Sequence, residues 1–226
     1  MRKRGNTIDL ILNLQHLLLT FLYYLQTMRI IIVGGTGTIG KAVVQELSPR
    51  HEIVTVGKTG GDFQVDITST ESITRLFKQV GIFDALVSTT GSVPFGPFEE
   101  MDESHYHSGI QSKLMGQVNL VLIGRSYIND FGSFTLTSGI LSHDPVRFGS
   151  SASMVNGAID GFVTGAAIEL KRGIRLNAVS PGVVLESMDS FGPYFRGHEP
   201  VPVSRVALAY SKSVEGLLNG QVFSVI

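Results

Sequence analysis

From Met28 to the end of the chain, short unbroken apolar runs alternate with stretches in which apolar residues recur every three or four positions. Ile30-Ile31-Ile32-Val33 is such a run, the pattern of a strand covered on both sheet faces. Runs at Ile53 to Val56, Phe63 to Val65, Asp84 to Ser88, Ser133 to Thr137, Ile174 to Val179 and Gln221 to Val225 predict six further strands. Between them, Lys41 to Leu47 reads as a helix ended by Ser48-Pro49. Thr70 to Val80 is amphipathic, with Ile73, Leu76, Phe77 and Val80 on one face. Two long helices follow, His105 to Arg125 and Ala152 to Leu170, and a last one over Val203 to Leu217. Strands alternating with helices predict βαβ units and a parallel sheet. Right-handed crossovers make it doubly wound, an α/β Rossmann fold in a single domain over residues 28–226, with no internal repeat.

The first residues break this pattern. Met1-Arg2-Lys3-Arg4 is basic and Ile8 to Leu25 largely apolar, which is how a signal or anchor segment begins. Asp9, Asn13, Gln15 and His16 interrupt the run, and a bilayer span needs about 20 mostly apolar residues. Residues 1–27 are therefore read as an apolar extension before a natural start at Met28, or a loosely attached helix, in preference to a membrane anchor.

Composition narrows the chemistry. With 226 residues, 43% of them hydrophobic and 16% charged, the chain buries an ample core. A net charge of −1 gives no electrostatic basis for nucleic-acid binding. The absence of cysteine excludes disulfides, thiolate chemistry and a Cys-based zinc site, and fits a cytoplasmic protein. No spacing of histidines and carboxylates marks a metal site.

Gly34-Gly35-Thr36-Gly37-Thr38-Ile39-Gly40 spells GxxGxxG between an apolar strand and a helix. In that context the glycines let backbone approach a pyrophosphate whose charge sits at the helix N-terminus, so the chain is expected to bind a dinucleotide. At the end of the second strand, a carboxylate would bind a ribose 2′-hydroxyl and repel a 2′-phosphate. Here Val56-Gly57-Lys58-Thr59 offers a cation and a hydroxyl instead, favouring NADP(H) over NAD(H).

Further motifs follow in order. They are Val65-Asp66-Ile67-Thr68, Leu86-Val87-Ser88-Thr89-Thr90-Gly91, Thr137-Ser138-Gly139, and Asn177-Ala178-Val179-Ser180-Pro181-Gly182. Together they resemble the short-chain dehydrogenases/reductases over essentially everything from Met28 on. The resemblance implies cofactor contacts at Gly34, Thr36, Gly37, Thr38, Ile39, Gly40, Lys58, Thr59, Asp66, Ile67, Thr89, Thr90 and Gly91, with Pro181 and Gly182 against the nicotinamide. It further implies hydride transfer between the cofactor and a small carbonyl or alcohol. The family also commonly forms dimers or tetramers through its two long helices, and Ala152, Gly157, Ala158, Gly161, Gly165 and Ala166 make the second of these small-faced.

The chain departs from the family where the proton is handled. The family's serine matches Ser138, but its tyrosine and lysine fall at Ala152 and Asn156, and the asparagine of its NLxG motif at Lys113. Two readings follow. In one, another donor serves, with Lys113 the candidate because its helix passes beside the nicotinamide; in the other, the protein binds NADPH without turnover, as a redox sensor or regulator. Weaker candidates are the cluster His105, Tyr106 and His107 at a helix start, and a His143-Asp144 pair on the loop beyond Ser138.

Overall fold

The computed structural model describes residues 27–226, so the expectations for the N-terminal extension lie outside the described residues. Among the described residues, no helix is long and apolar enough to cross a membrane. Seven strands form one parallel sheet: β1 (Arg29–Val33), β2 (Glu52–Gly57), β3 (Phe63–Gln64), β4 (Phe83–Ser88), β5 (Ile128–Thr137), β6 (Arg175–Pro181) and β7 (Val222–Val225). Their order is β3-β2-β1-β4-β5-β6-β7, so the chain winds one way from β1 and then the other from β4. A doubly wound sheet leaves a crevice beyond the carboxyl ends of β1 and β4, where this reversal occurs.

Alternation along β1 builds both layers. Ile31 and Val33 face a core shared with α2 (Thr70–Val80), α4 (Gly116–Gly124) and α5 (Ser150–Ala167). Ile30 and Ile32 face a second core with α1 (Thr38–Leu47) and α7 (Val203–Glu215). In that second layer α1 and α7 are joined across 165 residues by Arg50, whose guanidinium reaches Glu215 at 2.7 Å; the ring of His51 reaches the same carboxylate at 2.9 Å.

Two elements differ from the pattern read in the sequence. The fifth strand begins at Ile128, because β5 carries three extra residues against β4: Phe83 pairs with Ile128, but Ala85 pairs with Ser133. Phe131 takes a φ of 63° within this bulge, a conformation that apolar patterning does not reveal. The first long helix is also not uniform. It runs as α3 (Glu103–Gly109), a wide π turn (Ile110–Met115) and then α4. Shorter helical turns at Phe98–Glu100, Ile140–Ser142 and Leu185–Ser187, and α6 (Met188–Phe191), lie in loops at the carboxyl side of the sheet.

Candidate active site

A trough runs across the carboxyl ends of the strands. One part, about 400 Å³, is lined by Gly34, Thr36, Gly37, Lys58, Asp66 and Ile67. The next, about 370 Å³, is lined by Ile39, Lys113, Ser138, Asn156, Pro181 and Gly182, among others. Thr89, Thr90, Gly91 and Ser92 border both, so the two are continuous.

The first part has the chemistry of a phosphate cradle. Gly37 stands at the cap position before helix α1, no side chain caps the helix there, and its first turn carries no acidic residue. Its first N–H groups have no partner within the helix, which is what an anion at this end satisfies. Gly40 packs so closely on the carbonyl oxygen of Gly34 that any Cβ there would displace the turn. Lys58 is exposed at the end of β2, and its charge helps hold the Asp66 carboxyl below its ordinary range, after the larger effect of hydrogen bonds from Thr68. The residues present therefore fit a dinucleotide with a 2′-phosphate.

The second part ends on a partly buried lysine. The π turn presents Lys113, whose Nζ donates to the Ser138 carbonyl oxygen and to Asn156 Oδ1, both at 2.7 Å. π turns of this kind recur at functional sites, because the widened turn redirects one side chain. Gln117 holds the turn in place: it donates to the Lys113 and Thr137 carbonyls and accepts from the Thr137 N–H at 2.8 Å. Gly91, at a φ of 105°, lies against the lysine's stem, and a Cβ there would sit 2.6 Å from the Lys113 Cα. Burial pushes the Lys113 ammonium down to about 8, against an opposing pull from the negative charge of Asp160. The Ser138 hydroxyl is buried, yet has no hydrogen-bond partner among the described residues. Lys113 and Ser138 thus line one cavity, whose other lining is largely apolar.

Comparison with known proteins agrees with this geometry. The family model described as Enoyl-(Acyl carrier protein) reductase, a short-chain type, matches residues 35–208. The chain belongs to the short-chain dehydrogenase/reductase family. The protein lin1944 from Listeria innocua is 48% identical, with a TM-score of 0.87 covering 88% of this chain and 100% of that one. A small-chain dehydrogenase solved in complex with NADPH is 26% identical, with a TM-score of 0.78 covering 88% of this chain and 97% of that one. The hydroxynaphthalene reductase-like protein Arp2 of Metarhizium brunneum is 27% identical over 191 residues, 71% of this chain and 70% of its own length.

Within the short-chain dehydrogenase/reductase pattern, a lysine stands where this chain has Asn156, and an asparagine where it has Lys113. Here those two side chains touch, so the cation enters the same corner of the site from the opposite helix. The tyrosine's place holds only the methyl group of Ala152, which lines the cavity instead of facing outward with Gly157, Ala158, Gly161 and Gly165; Ala166 is half-buried against the core.

Thr59 is exposed beside Lys58, and Thr38 opens α1 at the phosphate cradle. The remaining sequence candidates are engaged elsewhere. His105 completes a capping box with Asp102, Tyr106 bonds Ser150 at 2.8 Å, and His107 bonds the Glu103 carbonyl; the cluster stabilises the start of α3. His143 and Asp144 form no dyad: His143 lies 3.8 Å from Asp160, and Asp144 lies 3.5 Å from His198. Sequence reasoning missed Gln117 and Asp160. Gln117 did leave a trace, a polar residue inside the apolar stretch from Leu114 to Val121.

Proposed function

We propose that Lys113 handles the proton, and Ser138 the substrate oxygen, in an NADP(H)-dependent interconversion of a small carbonyl and its alcohol. The chain is an oxidoreductase of the short-chain type, and NADP(H) is its cofactor. Bound NADPH supplies a hydride to the carbonyl carbon. The chain's own residues do the rest. The trough orients the reactants, which alone removes a large part of the barrier to a bimolecular step. The Ser138 hydroxyl, with no protein partner, donates to the substrate oxygen and fixes its position. Lys113 has three N–H donors and commits two of them to Ser138 and Asn156, leaving one for that oxygen. As negative charge builds there, the ammonium yields its proton; ketone, NADPH and one proton become alcohol and NADP+.

The observation that carries this reading is the partly buried Lys113 ammonium, hydrogen-bonded to the Ser138 carbonyl at the cavity wall. A positioned general acid contributes about 10²–10⁴-fold to rate. Lys113→Met is therefore expected to lower kcat by at least about 100-fold while NADPH still binds, measured by absorbance at the nicotinamide band and by calorimetry. Unchanged turnover in that variant removes Lys113 from the chemistry. The vacant tyrosine position favours one rival, an NADPH-binding regulator; tight NADPH binding with no turnover across a broad carbonyl panel selects it.

We further infer that the protein self-associates through α5. Gly157, Gly161 and Gly165 recur every four residues on its exposed face, with open space where a Cβ would project. Met154 and Ile168 flank them, also exposed. A small-residue face with apolar borders suits close approach of the same helix from a second copy.

A further inference from the structure

The cavity that holds Lys113 and Ser138 has a wall made of apolar side chains. Ile140, Leu141, Ala152, Val183 and Phe195 all line it, and the same residues pack on one another as an apolar cluster apart from the two sheet cores. Val93 and Phe95, half-buried in the loop after β4, pack against that cluster and line the cavity as well. Phe191, at the end of α6, lines it too, and its ring meets that of Phe95 edge-on with centroids 6.1 Å apart. Aromatic rings favour such edge-on or offset contacts, so a further flat ring finds partners on this wall.

Two observations narrow what fits. Lys113 is the only ionisable side chain among the described residues that line the cavity. Its ammonium already faces two oxygen acceptors and the charge of Asp160, so a charged substituent lying on the apolar wall would have no partner there. An unpaired charge taken out of water costs far more than a ring contact returns. The second observation is the size of Ala152. Where the family has a tyrosine, α5 brings only a methyl group to the wall. A side chain of tyrosine's size would occupy the face that the methyl leaves to a ligand.

We propose that the substrate is an uncharged ketone carried directly on an aromatic ring, or its alcohol, with the ring on the Ala152 wall and the oxygen at Lys113 and Ser138. Ala152 then sets the room for the ring. This assignment rests on the hydride-transfer reading of Lys113 and Ser138 given above, and names the substrate class of that same cavity.

The test compares acetophenone with butanone, which has the same methyl ketone without a ring, and with 4-acetylbenzoate, which adds a carboxylate. Calorimetry in the presence of NADP+ gives affinities without turnover, and NADPH oxidation gives kcat/KM. Acetophenone is expected to bind about tenfold more tightly than butanone, as burial of the ring provides, and more tightly than 4-acetylbenzoate. Ala152→Leu should lower the acetophenone-to-butanone ratio, in affinity and in kcat/KM, at least about fivefold, since added bulk on a packed wall competes with the ring. The ketones' intrinsic reactivities cancel when that ratio is compared between parent and variant. Should Ala152→Leu fold poorly, Phe191→Leu, at a ring 40% exposed, is expected to lower the same ratio about threefold. Acetophenone bound no more tightly than butanone or 4-acetylbenzoate, or a ratio unmoved by the variants, overturns the ring site; turnover of butanone in that case leaves the hydride-transfer reading intact. Selective binding of acetophenone that the variants weaken, with no turnover of any ketone, supports the ring site and overturns the role of Lys113. Absence of both turnover and selective binding overturns both.

Discussion

A lysine ammonium withdrawn from water stays charged only through what faces it. For Lys113 that is two oxygen acceptors and the negative charge of Asp160, whose two carboxylate oxygens are buried without a hydrogen-bond partner among the described residues. Because burial brings the ammonium down to about 8, reduction, which needs the protonated amine, is expected to fall as pH rises through about 8. Oxidation of an alcohol, which needs the free amine, should rise through the same value. Asp160→Asn withdraws the opposing pull and should move both limbs to lower pH, which a plain loss of packing would not do; pH profiles of kcat/KM decide it. The same shift bears on stability. The folded value lies below the ordinary 10.5, so the buried charge weakens the fold fully below about pH 8, by about 3 kcal/mol, and ceases to do so towards pH 10.5. Lys113→Met relieves that cost while losing two hydrogen bonds worth about 1–3 kcal/mol each, so its melting temperature should stay close to the parent's. At the other end of the trough, Lys58→Ala should weaken NADPH binding by about 1–2 kcal/mol and leave NADH nearly unaffected in titration calorimetry.

Among the elements, those whose periodicity arises from the sheet itself were legible in the sequence. The apolar run of β1 and the amphipathic face of α2 stand at their expected places because burial on one or two faces dictates their residues. The π turn around Lys113 was not legible. A π and an α turn share the same apolar residues and differ by one residue of register, which hydrophobic spacing does not encode. Likewise the contact between Lys113 and Asn156, 43 positions apart, exists only once α5 has packed beside that turn. The glycine motif, by contrast, was readable because its function is local: a strand, a turn and a helix end adjacent in the chain. The tie between α1 and α7 offers a test at this scale. Burial alone would raise the Glu215 carboxyl, but hydrogen bonds from Arg50, Ser211 and His51 outweigh it and hold the group below its ordinary value. Its contribution is thus present at neutral pH and lost as pH falls through the lowered value. Glu215→Ala should destabilise by about 1 kcal/mol at pH 7, a figure kept small by partial exposure, and the gap from the parent should close in acid. Denaturant titrations at the two pH values measure it.

For the molecule as a whole, the open glycine face of α5 predicts that bulk at its centre separates copies without disturbing the monomer. Gly161→Arg should convert a dimer into monomers by light scattering, with an unchanged melting profile, since nothing lies within 4 Å of the position a Cβ would take. A parent that is already monomeric removes α5 as an interface. The clasp from Arg50 to Glu215 has a further consequence, for synthesis on the ribosome. The layer holding Val43 and Leu47 is completed by Val206, Tyr210 and Val214, so most of the chain must be made before that layer closes. Contacts of such long range are slow to form, and apolar surface waiting for them invites aggregation. A nascent chain halted before Val203 will have its α2 and α4 side furnished and its other side covered by α1 alone, and a translating ribosome will leave that side half-covered for most of elongation.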